Sequence, residues 1–390
     1  MTTKRKRAGE ELEGESNDTG DRDFGGGMHD GGQSDHDEID NDGGSNWGPR
    51  GRPTVTQQVR LLERAKSTGE AAGLLHALVG ELDDDPSQRA EFIDAGGLSK
   101  LVQALEDFGF EMVDEGDDDE LRALAEGITP DECAVWACAL LHMATSADSQ
   151  ADYAMVEPWK LAAVEAGAAL DGRTCTFAVL VSVLRAWPDE SRVQNATMHA
   201  IDSLASGGTP EAMDRKLKAL EAQALPAVLD GLRTHRGVLE VQEYGLGALA
   251  RLVNLDEAHR TRLTDAGDEI SVIAVTAASI LPRKIAFDAG AIELAREALR
   301  LHASADVAVA AQAITVLTNL AMGPDDGAPA RKAAARAAML SEVHAALQAH
   351  PGDGHLHDVS ASLVRNLTST FGGDHFATTG PGDAAPSQLY

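Results

Sequence analysis

The chain has 390 residues, a formal net charge of −30 at pH 7, 43% hydrophobic residues and only 4% aromatic residues. The negative charge argues against nucleic acid or an anionic membrane surface as a partner, because a phosphate-binding surface needs a basic patch. The low aromatic content, with abundant Ala and Leu, favours close helix–helix packing over a β-sandwich.

The cysteines and the hydropathy pattern indicate a cytoplasmic protein. Cys133, Cys138 and Cys175 cannot form a paired framework and lack metal-like spacing, which favours a reducing compartment. No uninterrupted apolar run reaches about 18 residues, so we expect no membrane-spanning helix. The first residues, MTTKRKRAGE, lack the apolar core of a secretory signal.

The two ends of the chain differ in composition from the middle. Residues 1–52 are rich in Gly, Asp, Glu, Asn and Ser, and we predict a disordered acidic tail there, with a second one over residues 371–390. Within the first tail, Lys4, Arg5, Lys6 and Arg7 match a simple nuclear-import cluster, although a solubilising charge run is the alternative. Residues 53–370 have helical patterning, and Thr54–Leu82 is interpreted as a capping helical layer.

One helical pattern recurs along this middle region. It reads VQNATMHAIDSLA from Val193, VQEYGLGALARLV from Val241, VAAQAITVLTNLA from Val309 and LHDVSASLVRNLT from Leu356. The first, eighth, ninth and twelfth positions are Ala or apolar in every copy, which is the spacing of one face of an α-helix. A fifth, weaker copy is ECAVWACALLHMA, from Glu132 to Ala144.

A second motif precedes these helices. FIDAGGLSKLVQAL and AFDAGAIELAREAL both read Asp-Ala-Gly followed by an amphipathic run, and AVEAGAAL and RLTDAG repeat its start. Gly at such a turn tolerates the positive φ that lets one helix end and the next leave at an angle. The predicted unit is therefore a short helix, a Gly turn, a second helix and a long third helix, with a period of about 47 residues that suits armadillo or HEAT repeats.

The spacing of the repeats is broken once. The copies that begin at Val241 and Val309 lie farther apart than the others, and the Asp-Ala-Gly turn occurs twice between them. Residues 268–283 therefore look inserted. They represent either an extra loop or helix or a gene-model artefact.

These repeats resemble the armadillo family. The Asp-Ala-Gly turn between the first and second helices and the LxNLA ending of the third look like an armadillo repeat, similar to those in leucine-rich-repeat kinases and in protist and algal armadillo proteins. The resemblance implies an all-α, right-handed α-solenoid of about five irregular repeats with disordered termini. It also implies that the third helices line a concave groove that holds extended peptides or whole proteins.

Helical geometry predicts which residues face that groove. The fourth, seventh and eleventh positions of each third helix share a flank that faces neither the core nor a neighbouring repeat. As candidate binding residues on this flank we select His199, Ser203, Tyr244, Arg251, Gln312, Thr315, Asn319, Ser362 and Asn366. The resemblance implies that Asn319 and Asn366 bond the backbone of a bound chain, whereas His142, Ser203 and Arg251 occupy that position elsewhere.

No catalytic motif accompanies the repeats. The chain has no Gly-rich phosphate loop, no HExxH and no GxSxG, and no carboxylate pair can be assigned to a pocket, so we expect no enzyme, cofactor or metal. We predict a non-catalytic protein-binding scaffold or adaptor, whose acidity suggests a basic segment in the partner. The alternative is an armadillo regulator of Hsp70 nucleotide exchange. The oligomeric state is not predicted, and the nucleus is the alternative location.

Overall fold

Every regular secondary-structure element of the described residues is helical. The computed structural model describes residues 53–84, 87–108, 131–146, 153–171, 175–254, 280–322 and 327–368. The predicted tails and the Lys4–Arg7 cluster lie outside these ranges. In chain order the helices are α1 (Val55–Leu62), α2 (Thr68–Asp84), α3 (Gln88–Asp94), α4 (Gly97–Phe108), α5 (Glu132–Thr145), α6 (Tyr153–Asp171), α7 (Thr176–Ala186), α8 (Ser191–Ala205), α9 (Pro210–Glu221), α10 (Ala224–Thr234), α11 (Leu239–Val253), α12 (Ala291–His302), α13 (Val307–Ala321), α14 (Ala328–Ala349) and α15 (Gly354–Thr368).

The repeated pattern locates the long helices closely. Helices α8, α11, α13 and α15 end at Ala205, Val253, Ala321 and Thr368, the predicted last residues, and each begins two residues before its predicted start. Helix α5 corresponds to the weaker fifth copy. The shared apolar positions are buried, except for Val364 of α15, which is 44% exposed, because one face of each helix packs into the core.

The predicted glycine turns occur at two of the four sites. Gly96, between α3 and α4, has φ 81°, and Gly290, before α12, has φ 78°. Helix α6, in contrast, continues through Gly167 to Asp171, so the predicted turn in AVEAGAAL is wrong. The turn in RLTDAG lies outside the described residues.

The third helices form a continuous stack. Helix α2 packs on α5, α5 on α8, α8 on α11, α11 on α13, and α13 on α15. Helix α2, predicted only as part of a capping layer, therefore has the same place in the stack as the repeated helices. Helices α4, α7, α10, α12 and α14 form a second row, each in contact with the next. This arrangement is an all-α solenoid, in which each unit buries its apolar face against its neighbours.

Buried arginines join neighbouring units. Arg215 of α9 is fully buried, and its Nε donates to the carbonyl oxygen of Leu204 at the end of α8 (2.8 Å). Arg331 of α14 is 1% exposed, and its Nε donates to the carbonyl oxygen of Leu320 at the end of α13 (2.7 Å). Each arginine lies 11 residues after the carbonyl that it binds. The two bonds satisfy carbonyl groups that a helix end leaves without an intrahelical donor.

Part of the predicted insertion belongs to the solenoid. Residues 280–288 are helical, and Arg283 is 2% exposed, so residues 280–283 form the start of the first helix of a repeat. Residues 268–279 lie outside the described ranges. Among the helices described, none is long and apolar enough to cross a membrane.

Candidate functional site

The outer flank of the third helices lines a groove. One recess of this groove, the central cavity, has a volume of about 460 Å³ and is lined by residues of α5, α6, α8, α11, α13, the turn before α15 and the start of α15. The lining residues are His142, Ser146, Lys160, Asp202, Ser203, Ser206, Arg251, Val307, Ala308, Ala311, Gln312, Asp353 and His355. The structure thus brings the predicted residues Ser203, Arg251 and Gln312 together at one cavity.

Three rings stack in a column across the groove. The ring centroids of His142 and His199 lie 3.4 Å apart with an interplanar angle of 29°, and those of His199 and Tyr244 lie 3.8 Å apart with an angle of 21°. The rings occupy the eleventh, seventh and fourth positions of the repeated pattern in three successive third helices, so the column crosses the stack diagonally. Burial lowers the pKa of His142 to about 3 and that of His199 to about 4, so both imidazoles are neutral near pH 7.

The floor of the central cavity carries a buried ion cluster. Lys160 is 1% exposed, and its Nζ donates to Ser206 Oγ (2.7 Å) and lies 3.8 Å from Glu157 Oε1. Glu157 Oε2 in turn accepts from Arg215 Nη1 (2.8 Å). Burial lowers the pKa of Lys160 to about 8, because the loss of hydration outweighs the attraction of Glu157. The cations lie at the C-terminal end of α8, where the helix dipole favours positive charge.

An ion pair fixes Arg251 to the neighbouring helix. Its Nε donates to Asp202 Oδ1 (3.2 Å), and the side chains are 24% and 20% exposed. A Cβ atom at Gly247 would lie 3.3 Å from Asp202 Cγ, so glycine at this position of α11 leaves room for the carboxylate.

Carboxylates surround Tyr244. Glu240 and Glu243 lie on the same helix, Asp202 lies on α8, and Asp306 caps α13 by accepting from the Val309 N–H (2.9 Å). Burial is the first cause that raises the pKa of Glu243 and that of Tyr244, and neighbouring carboxylates raise both further. The groove is therefore negative around Tyr244.

Two predicted residues of α13 make contacts within the fold. Asn319 is 5% exposed, and its Nδ2 donates to the carbonyl oxygen of Ala250 on α11 (3.1 Å). Thr315 Oγ1 donates to the carbonyl oxygen of Ala311, one turn earlier (2.8 Å). The amide that the resemblance assigns to a bound chain thus joins two third helices.

The last predicted pair lies at the end of the stack. Ser362 Oγ donates to the carbonyl oxygen of Asp358 (3.0 Å) and accepts from Arg365 Nη2 (2.9 Å). Ser362 and Asn366 are half-buried on α15, and neither lines the central cavity.

Comparison with known proteins supports the fold class alone. No protein-family model matches the chain, and no curated protein matches it. Among solved structures, the chain is similar to an engineered protein from a structural genomics consortium, with 20% identity and a TM-score of 0.50 over 81% of this chain and 97% of the other. At this identity, the likeness shows that the helical arrangement is shared.

Sequence reasoning missed several residues of the groove. His142 is placed by the sequence at the eleventh position of the weaker copy in α5, but it is not among the selected binding residues. Lys160 lies on a first helix, for which we made no prediction about the groove. Asp202 and Asn195 lie at the tenth and third positions of the repeated pattern in α8, outside the chosen flank. Contacts between helices, rather than spacing within one helix, bring these residues to the site.

Proposed function

We propose that the protein is an armadillo-type solenoid that acts as a non-catalytic scaffold or adaptor and binds an extended segment of a partner protein along the groove of its third helices. The observation that carries this proposal is the continuous stack from α2 to α15, with its lined cavity and ring column. An extended concave surface of this kind is commonly used for association. A cytoplasmic location, with nuclear import through Lys4–Arg7 as the alternative, belongs to the same proposal.

The charges around Tyr244 support a basic partner segment. Glu240, Glu243, Asp202 and Asp306 come from three successive helices, so their negative potential covers a length of the groove rather than one point. A segment with Lys or Arg would be attracted to this region, and salt would weaken the attraction.

A pair of matched variants tests the proposal. Ala308→Arg and Gln312→Arg place long side chains in the central cavity, whereas Leu301→Arg adds the same charge at a 40% exposed position of α12. The full-length chain and each variant would be screened against a displayed library of random linear peptides. We expect the cavity variants to lose the selected peptides and Leu301→Arg to retain them. A library that yields no peptide, or peptides bound equally by all variants, would contradict the proposal.

A further inference from the structure

A second recess lies between α5 and α8, beside the ring column. It has a volume of about 260 Å³ and is lined by Val135, Ala139, His142, Met143, Arg192, Asn195, Ala196 and His199. A water molecule needs a cavity of only about 10–15 Å³, so this recess, the α5–α8 recess, has room for a whole side chain. It opens on the same groove, because His142 and His199 belong to its wall.

Polar atoms in this wall are left without partners. Asn195 Oδ1 and His142 Nδ1 are both buried, and neither has a hydrogen-bond partner among the described residues. A buried polar atom without a partner is costly, and such atoms are uncommon in native proteins. Both side chains end in a torsion with a broad minimum, so a small rotation can turn each atom towards an occupant. Two such atoms, on side chains that line one recess, indicate a group that binds there.

The wall also limits the chemistry of the occupant. Val135, Ala139, Met143 and Ala196 form an apolar side that suits a hydrocarbon or a ring, and the sulfur of Met143 can contact an aromatic edge. Arg192, 52% exposed and paired with Asp131 (3.7 Å) and Glu132 (3.5 Å), stands at the rim. A guanidinium at the rim disfavours a cation in the recess and favours an aromatic face. Asn195 Oδ1 requires a hydrogen-bond donor.

We propose that the α5–α8 recess binds a tyrosine side chain of the partner segment, with the ring against the apolar wall and the hydroxyl donating to Asn195 Oδ1. The tyrosine oxygen can also accept a hydrogen bond, so it matches His142 Nδ1 in the tautomer that carries a proton there. This inference deepens the proposed function and rests on it for the identity of the bound chain. The recess anchors one residue, while the acidic region around Tyr244 attracts the basic part of the same segment.

The first test uses small probes and does not require a peptide. The full-length wild-type chain would be titrated with p-cresol, the analogue of the tyrosine side chain, and with toluene, which lacks the hydroxyl, and binding would be followed by NMR at the α5 and α8 amides. We expect p-cresol to bind about five- to ten-fold more tightly than toluene, since the wall has an acceptor that only p-cresol satisfies. In the Asn195→Leu variant this preference should fall below about two-fold, the remainder coming from His142 Nδ1. Ala196→Phe, which fills the recess, should bind neither.

Equal binding of the two probes by the wild type, or a preference for p-cresol that is undiminished in Asn195→Leu, would overturn the inference. Folding is checked by thermal unfolding. Because the Asn195 amide oxygen has no partner within the described residues, Asn195→Leu should leave the midpoint within a few degrees of wild type. If Asn195→Leu lowers the midpoint by more than this, Ala196→Phe alone tests the inference. If p-cresol still shifts the same amides in Ala196→Phe, it binds outside the recess and the inference is wrong.

The second test separates this inference from the proposed function. The peptide library of the scaffold test should yield sequences with tyrosine at one fixed position. Replacing that tyrosine by phenylalanine should weaken binding about ten-fold in the wild type and less than about two-fold in Asn195→Leu. A library that yields no peptide contradicts the proposed scaffold function. In that case the p-cresol titration alone shows whether the recess binds a tyrosine side chain. Peptides without the tyrosine contradict the tyrosine pocket alone.

Discussion

Two imidazoles whose centroids are 3.4 Å apart can keep that arrangement only while neither carries a charge. In the unfolded chain a histidine has the ordinary pKa of 6.5, whereas burial lowers the pKa of His142 to about 3 and that of His199 to about 4. The unfolded state therefore binds more protons than the folded state between these values. The free energy of unfolding should fall as the pH decreases from about 7 to 4, by roughly 2 kcal/mol per histidine at pH 4.5.

Denaturant unfolding at several pH values would measure this effect, and His199→Phe supplies the comparison. Phenylalanine keeps a ring between His142 and Tyr244 but cannot bind a proton. Because the carboxylates titrate in both proteins, the difference between the two pH profiles isolates the histidine. We expect the variant to lose less stability on acidification. If the free energy of unfolding has the same pH dependence in both proteins, burial in the column does not lower the pKa of His199.

Backbone strain at one turn offers a second prediction at the residue scale. Gln223, between α9 and α10, has φ 64° and occupies the place that Gly96 and Gly290 occupy in other repeats. A left-handed conformation costs a residue with a side chain about 1 kcal/mol, whereas glycine adopts it freely. Gln223→Gly should therefore raise the free energy of unfolding by about 0.5 kcal/mol or more, while Gln223→Ala should not. Thermal unfolding of the two variants compares them directly, and a loss of stability in Gln223→Gly would contradict the assigned strain.

At the scale of the helix, the buried arginines show how one repeat is fixed to the next. Arg215 binds the ends of α8 at Leu204 and Ser206, and Arg331 binds the ends of α13 at Leu320 and Met322. Each is followed by lysine, and the same pair occurs at Arg283, in the helix that begins within the predicted insertion. The dipeptide thus occurs in three repeats, and no apolar pattern reveals it.

Removing Arg215 should be strongly destabilising. Arg215→Leu leaves Glu157 without its closest ion-pair partner and leaves two carbonyl groups of α8 without the bonds that Arg215 donates, so we expect a loss of about 3–5 kcal/mol. Adding Glu157→Leu should recover part of that loss, because the partly buried charge is removed with its partner. Chemical unfolding of both single variants and the double variant would measure the coupling. If the loss in the double variant equals the sum of the losses in the two single variants, Arg215 and Glu157 stabilise the fold through packing and not through their ion pair.

The helices that the sequence predicts well are those whose position is decided by one interaction, the burial of an apolar face. The ends of α8, α11, α13 and α15 follow from apolar residues repeated at fixed positions, since burial of one face decides them. The turn predicted at Gly167 is wrong, because glycine in a helix only lowers stability and does not by itself end the helix. The sequence predicts that His199 and Tyr244 both face the groove. It does not predict that their rings stack, because stacking depends on the offset between successive helices.

At the scale of the whole solenoid, contacts run mainly between neighbouring units. Helix α15 packs on α13 and α14, and its outward positions His357, Ala361 and Arg365 are exposed. The stability of such a molecule is close to a sum of the stabilities of its units and of the interfaces between neighbours, so a defect at one end should stay near that end.

Two buried leucines test this locality. Leu204 of α8 and Leu363 of α15 are both fully buried, but α8 has neighbours on two sides of the stack and α15 on one. Replacing either by Ala should cost about 2–4 kcal/mol locally. We expect hydrogen exchange in Leu363→Ala to increase in α13 and α15 while α5 and α8 keep wild-type protection, because terminal units open independently of the centre. Leu204→Ala should lower protection on both sides of α8. A uniform loss of protection in both variants would mean that the stack unfolds as a single cooperative unit, and that interfaces between repeats, rather than the repeats themselves, hold most of its stability.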